Sequence, residues 1–360
     1  MSQPASKAMV RAMVVAAACS AAPAWSQWSV TVLHPMGTTQ SRADSVFGPT
    51  QGGATVVDGV LRAAIWSGTP ESWVDLHPTG ATLSWVRGVS DTQQVGYATF
   101  DDVSRASMWT GSAASRVDLH PAGAESSQAH AAAGSQQVGQ AFINGRLSAS
   151  LWSGNAGSWV NLMPANGTNS VAFGTDGTRQ VGRALVSGLG RASMWSGSAD
   201  SWVDLAPAGA TNSQAMGIFG NRQVGWAVFG GVVRAGMWSN TADSWVDLAP
   251  AGATHSNAFD TNGSKHVGVA IIDDVFRASV WCGDHADTWY DLSQVLPGSW
   301  GDTHAESIWS DGTMVYVAGR GFNNTTGRVE ALLWSKVIPG PGAVGVMGIA
   351  AAMSWRRRRA

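Results

Sequence analysis

The chain has 360 residues, of which only 13% are charged, with a formal net charge of −2, 44 Gly and 19 Trp. A hydrophobic fraction of 44% can fill a core and excludes wholesale disorder; few charges with many Gly, Trp and Val describe instead an all-β protein rich in tight turns. Six of the 22 basic residues lie at the two ends (Lys7, Arg11 and Arg356 to Arg359), so the body between them is net acidic and does not suit nucleic acid.

Residues 1–26 come first. Lys7 and Arg11 precede the apolar run Ala12–Ala24, and the small residues Ala22, Ala24 and Ser26 follow. A basic start, an apolar middle and a small-residue cleavage zone predict a secretory signal peptide. The run is shorter than the roughly 20 residues that span a bilayer. Cys19 falls inside it, which leaves Cys282 alone and no intramolecular disulfide in the processed chain.

Residues 28–335 are repetitive. A phrase ending in Trp recurs at Trp66, Trp109, Trp152, Trp195, Trp238 and Trp281, always 43 residues apart, and again at Trp334. "WVDL"-like phrases begin at Trp73, Arg116, Trp159, Trp202, Trp245 and Trp289, with a worn copy at Val30–Leu33. A "Ser-x-Ala" phrase begins at Ser41, Ser127, Ser170, Ser213 and Ser256, as Ser-Trp-Val at Ser84 and as Thr-x-Ala at Thr303. A "Gln-Val-Gly"-like phrase follows each. Every phrase is short, β-rich and bounded by Gly, Ser, Asn or Pro, and no segment keeps a helical apolar period. Each repeat is therefore four strands, and seven such units predict a seven-bladed β-propeller. A β-solenoid is the competing architecture.

The ends of the repeat decide between them. The first phrase is a fourth strand (Val30–Leu33) and the last a third strand (Ala331–Trp334), so the N-terminal strand completes the last blade and closes a ring. The small Ser-x-Ala phrase suits the narrow inner end of each wedge. The Trp pairs flanking six residues, such as Trp66 and Trp73, are expected opposite each other in a hairpin, as scaffold.

Residues 336–360 hold Pro339-Gly340-Pro341, an apolar run Gly342–Trp355, and Arg356, Arg357, Arg358 and Arg359. The Arg cluster would stay cytoplasmic while the short helix anchors the chain transiently in a membrane.

Chemistry is sparse. The eight His are scattered, three of them (His34, His77, His120) in one repeated slot, and none stands at metal-ligand spacing. Asp101-Asp102 and Asp273-Asp274 read as solvated hairpin turns rather than a weak calcium site. No nucleophile elbow or phosphate loop occurs. Only the last blade breaks the repeat by insertion, and Trp300, Asp302, His304 and Glu306 there are the candidate ligand-site residues. No cofactor is expected.

The tail resembles the PEP-CTERM sorting signal of Gram-negative bacteria, with Pro-Gly-Pro in place of the usual acid-containing box. That resemblance implies an exosortase-type protease and the secretion machinery as partners. The repeat resembles the extracellular HAF repeat, most closely over Ser307–Phe322. It covers roughly residues 28–334 and implies secretion and a propeller-like fold, and brings no catalytic residues. The sequence thus predicts a secreted, surface-sorted, non-catalytic propeller for adhesion, matrix or interaction, with an extracellular polysaccharide-binding or polysaccharide-processing propeller as the alternative.

Overall fold

A computed structural model describes residues 27–338; the expected signal peptide (residues 1–26) and the expected sorting residues Pro339, Gly340, Pro341 and Arg356 to Arg359 lie outside them. The described residues form seven antiparallel four-stranded sheets and no α-helix. In blade 1 the order from the axis outward is β2 (Gln40–Phe47), β3 (Thr50–Val57), β4 (Val60–Trp66) and β5 (Val74–Asp75). Strands β6 to β25, from Leu83 to Asp291, repeat this in blades 2 to 6.

Blade 7 combines β26 (Trp300–Ser310), β27 (Met314–Asn323) and β28 (Arg328–Val337) with β1 (Ser29–Val32) from the other end of the chain. The register is Val30 opposite Trp334, Thr31 opposite Leu333 and Val32 opposite Leu332, and the Leu33 amide donates to the Ala331 carbonyl at 2.8 Å. The ring closes as the offset of the repeat predicts, and a solenoid is excluded.

The core lies between blades. Trp66, Trp109, Trp152, Trp195, Trp238, Trp281 and Trp334 are all fully buried. Each packs on the blade before it: Trp109, for example, meets Ala63 and Leu76 of blade 1. Trp281 and Trp334 donate their indole N–H to the Leu248 and Leu292 carbonyls of the preceding blade. These seven are scaffold, closed to any ligand. The second Trp of the hairpin, present in blades 1 and 3 to 6 and replaced by Arg116 in blade 2, is half-buried on the outside, and in blade 5 the expected pair meets: the ring centroids of Trp238 and Trp245 lie 4.7 Å apart.

The remaining repeated residues are hydrogen-bonding staples. The first residue of the Ser-x-Ala phrase accepts a backbone N–H from the previous blade at every one of the seven junctions: Ser84 from Ala63 and Ser213 from Ala192, both at 2.9 Å, through to Ser41 from Ala331 at the closure. The Asp of "WVDL" pairs with the Arg of the neighbouring strand, as in Arg62 with Asp75 and Arg234 with Asp247. His34, His77 and His120 are more than scattered surface histidines. Each bridges the staple serine (2.7–2.8 Å) and a carbonyl four residues on, and burial lowers the pKa of all three. Asp101, Asp102, Asp273 and Asp274 all have positive φ and form tight hairpin turns.

Candidate ligand-binding channel

The innermost strands surround an axial channel of about 940 Å³. Its lining follows from one irregularity that every blade shares. In each inner strand the ladder skips one residue, directly after the third residue of the Ser phrase (Ala, or Val86 in blade 2): Asp44, Arg87, His130, Phe173, Met216, Phe259 and Glu306. A β-bulge leaves its extra residue unpaired, bends the strand and re-aims that side chain. Here seven bulges deliver seven side chains to the channel wall.

The bulge explains the "Val-Gly" phrase. The glycine of that phrase faces the bulge from the second strand. A Cβ on Gly53 would stand 1.9 Å from the Arg42 carbonyl oxygen, and one on Gly182 1.9 Å from that of Val171. Only Gly allows so close an approach of two backbones. The residue after the bulge is small for a related reason: at Gly174 a Cβ would lie 2.6 Å from the Met216 carbonyl oxygen of the next blade. Where it is polar it ties inner strands together. Ser45 accepts from the Val89 amide, Ser307 accepts from the Val46 amide, and Asp260 accepts from Ser307 and the Ile308 amide.

The seven bulge residues divide the channel. Blades 4, 5 and 6 contribute the apolar arc Phe173, Met216 and Phe259; blades 7, 1, 2 and 3 contribute Glu306, Asp44, Arg87 and His130. The polar arc is densely connected. Asp44 pairs with Arg42 at 2.9 Å and accepts the Trp85 indole N–H at 2.7 Å, and Glu306 pairs with Arg320. The Trp85 ring carries two guanidiniums, Arg42 at 4.2 Å and Arg87 at 4.9 Å from its centroid. His130 stacks on Phe173 with centroids 5.4 Å apart. Burial, with the Arg87 charge beside it, pushes the His130 pKa down to about 3. His304 is likewise pushed down to about 3, by burial and then by Arg320 and Arg42. Both imidazoles are neutral at pH 7.

Trp300, Asp302, His304 and Glu306 all lie on β26 but do not converge, because the ladder slips between Trp300 and Thr303 and again after Ala305. The Trp300 indole donates to the Pro297 carbonyl at 2.7 Å, and Asp302 accepts the Phe276 amide at 3.1 Å. His304 stacks on Phe276 at 5.3 Å, and its Nδ1 lies 3.9 Å from Glu306. Of the four, Glu306 alone lines the channel. Sequence reasoning missed the other six bulge residues. Their signal was present in part: with the seven phrases aligned on Ser, the third residue on is Asp, Arg, His, Phe, Met, Phe or Glu, while the first residue of the phrase stays Ser or Thr and the residue before the bulge stays Ala or Val. Among the described residues no group of three or more His, Cys, Asp or Glu is placed to hold a metal ion.

No family model matches the sequence, and no curated protein does. Solved structures match in fold. The β-propeller domain of the Trilobed protease from Pyrococcus furiosus, described as having an open velcro topology, is similar over 84% of this chain and 98% of its own, with a TM-score of 0.57 and 9% identity. Oligogalacturonate lyase from Vibrio parahaemolyticus is similar over 86% and 93%, with a TM-score of 0.50 and 10% identity. TolB from Acinetobacter baumannii gives a TM-score of 0.47 at 12% identity, and this chain spans only 62% of it. At such identities the likeness concerns architecture alone: the chain is a seven-bladed β-propeller.

Proposed function

We propose that this protein is a secreted, cell-surface-sorted, non-catalytic propeller that serves adhesion, matrix attachment or another interaction by binding a ligand in its axial channel. The observation that carries this is the contrast within the inner strand. The stapling Ser or Thr and the small residue before the bulge hold in every blade, whereas the bulge residue that lines the channel changes from blade to blade. Scaffold positions repeat because the packing problem repeats; positions facing a ligand have no such constraint. Three carboxylates of the wall are held by guanidiniums, Asp44 by Arg42, Asp176 by Arg179 and Glu306 by Arg320, which favours matched charge over acid–base work.

Secretion and sorting rest on the N-terminal segment and on the Pro, apolar and Arg tail. In the producing cell the full chain is expected with the envelope, and a chain lacking Pro339–Ala360 in the medium. Retention of the shortened chain would refute the sorting reading. The polysaccharide alternative is favoured by half-buried Trp300 beside exposed Asp302 at the start of β26. It requires glycan-array binding that Trp300→Ala abolishes. A flat array with surface binding retained supports the first reading.

A further inference from the structure

We infer that the channel takes a small amphipathic monoanion, a carboxylate on an aromatic or aliphatic body, with the carboxylate on Arg87 and the body across Phe173, Met216 and Phe259. The inference rests on the channel being the ligand site and names the class of ligand.

Arg87 is the anchor because its charge is unspent. Among the described residues it has no carboxylate within ion-pairing distance, although it is half-buried in the channel wall. Its neighbours differ: Arg42 is held by Asp44 and Arg320 by Glu306. Asp44 and Glu306 are thus matched by Arg42 and Arg320, and the unpaired cation beside them is Arg87; exposed Asp91, also on the wall in blade 2, makes no ion pair with it. A half-buried cation without a counter-ion is costly, and an incoming anion would relieve that cost. Trp85 covers one face of the guanidinium, at 4.9 Å. Stacking leaves the in-plane N–H fork, the geometry that grips a planar carboxylate at two points. One unpaired guanidinium fits a monoanion; a dianion would also face Asp44, Asp91 and Glu306.

The order of blades places the apolar arc next. Neutral His130 lies between Arg87 and Phe173, stacked on the latter, and Met216 and Phe259 follow in blades 5 and 6. Asp260, after Phe259, is spent on the amides of Thr261 and Ile308 and on Ser307. A volume of about 940 Å³ is within the range of pockets for drug-sized ligands.

Calorimetric titration of the purified protein with 2-naphthoate, 2-naphthamide and 2-naphthylmethylamine tests this. The acid should bind at least about tenfold more tightly than the amide, the scale of a charge-assisted bidentate contact, and the amine should not bind. Arg87→Gln should bring the acid down to the amide's affinity with the thermal melt unchanged. Phe259→Ala should weaken acid and amide alike. Equal binding of acid and amide, full binding by Arg87→Gln, or no binding of naphthoate by the wild type would each overturn the inference. Measuring envelope attachment in the same variants separates the two readings. Attachment that depends on channel residues, with no naphthoate binding, would sink the ligand class alone. Naphthoate binding, with attachment indifferent to every channel variant, would sink the attachment role alone.

Discussion

Two positions in each blade stand side by side and obey opposite rules. The glycine of the second strand (Gly53, Gly96, Gly139, Gly182, Gly225, Gly268, Gly319) is the same residue seven times. The bulge residue opposite it is charged in three blades, His in one and apolar in three. Backbone geometry fixes the first, because any Cβ would fall within about 2 Å of a carbonyl oxygen. Nothing in the packing fixes the second, because its side chain points into the channel. The scaffold and the wall of the channel thus differ in what a substitution should do.

The largest effect is expected at the closure. Removing residues up to Leu33 strips β1 from blade 7, exposes an edge strand and deletes a fully buried leucine. The loss should exceed about 3 kcal/mol, with association between the opened edges. Chemical denaturation and light scattering read both, and an unchanged melt and unchanged solubility would show that the ring needs no latch. Next is Trp195→Ala, which empties a fully buried site between blades 3 and 4 and should cost about 3–5 kcal/mol. A cost below about 1 kcal/mol by urea denaturation would mean that the inter-blade Trp is not the core. Smaller still is Ser213→Ala, which strands the buried Ala192 amide at about 1–3 kcal/mol. Ser213→Thr, which is what blade 7 carries at Thr303, should recover most of it.

Acid should act on two buried imidazoles, His130 in the channel wall and His304 behind it. His130 and His304 have folded pKa values of about 3 against an ordinary 6.5. Between those values the unfolded chain binds more protons, so these residues add stability that is complete above pH 6.5 and is lost as pH falls toward 3. Urea midpoints at pH 7 and pH 4 should lie closer together in His304→Gln than in the wild type. An equal separation would show that His304 is not buried in neutral form.

The fold was legible because it is written seven times. Trp66 and its six counterparts set the period, and the orphan strand Val30–Leu33 with the final Ala331–Trp334 set the closure. The histidine staples were not legible: His34, His77 and His120 share a slot, but the serine each one reaches lies seven residues on, across a turn. The wall of the channel was legible only in part. Glu306 was singled out because its blade carries an insertion, whereas Arg87 and Phe173 sit in blades with none. A bulge keeps the local alternation looking like an ordinary strand, so the residue it turns toward the axis gives no sign within its own blade. The sign exists only across blades, as variation directly after a Ser or Thr and a small apolar residue that every copy keeps.

The division between scaffold and wall is tested most directly by one pair of melting temperatures on blade 5. Gly225→Ala puts a Cβ 2.0 Å from the Gln214 carbonyl oxygen, while Met216→Gln changes a half-buried side chain on the bulge beside it. The glycine variant should melt far below the wild type or fail to fold, and the methionine variant should melt within about 0.5 kcal/mol of wild-type stability. Equal losses in the two would contradict the account, because the bulge residue would then be as much a part of the scaffold as the glycine that faces it.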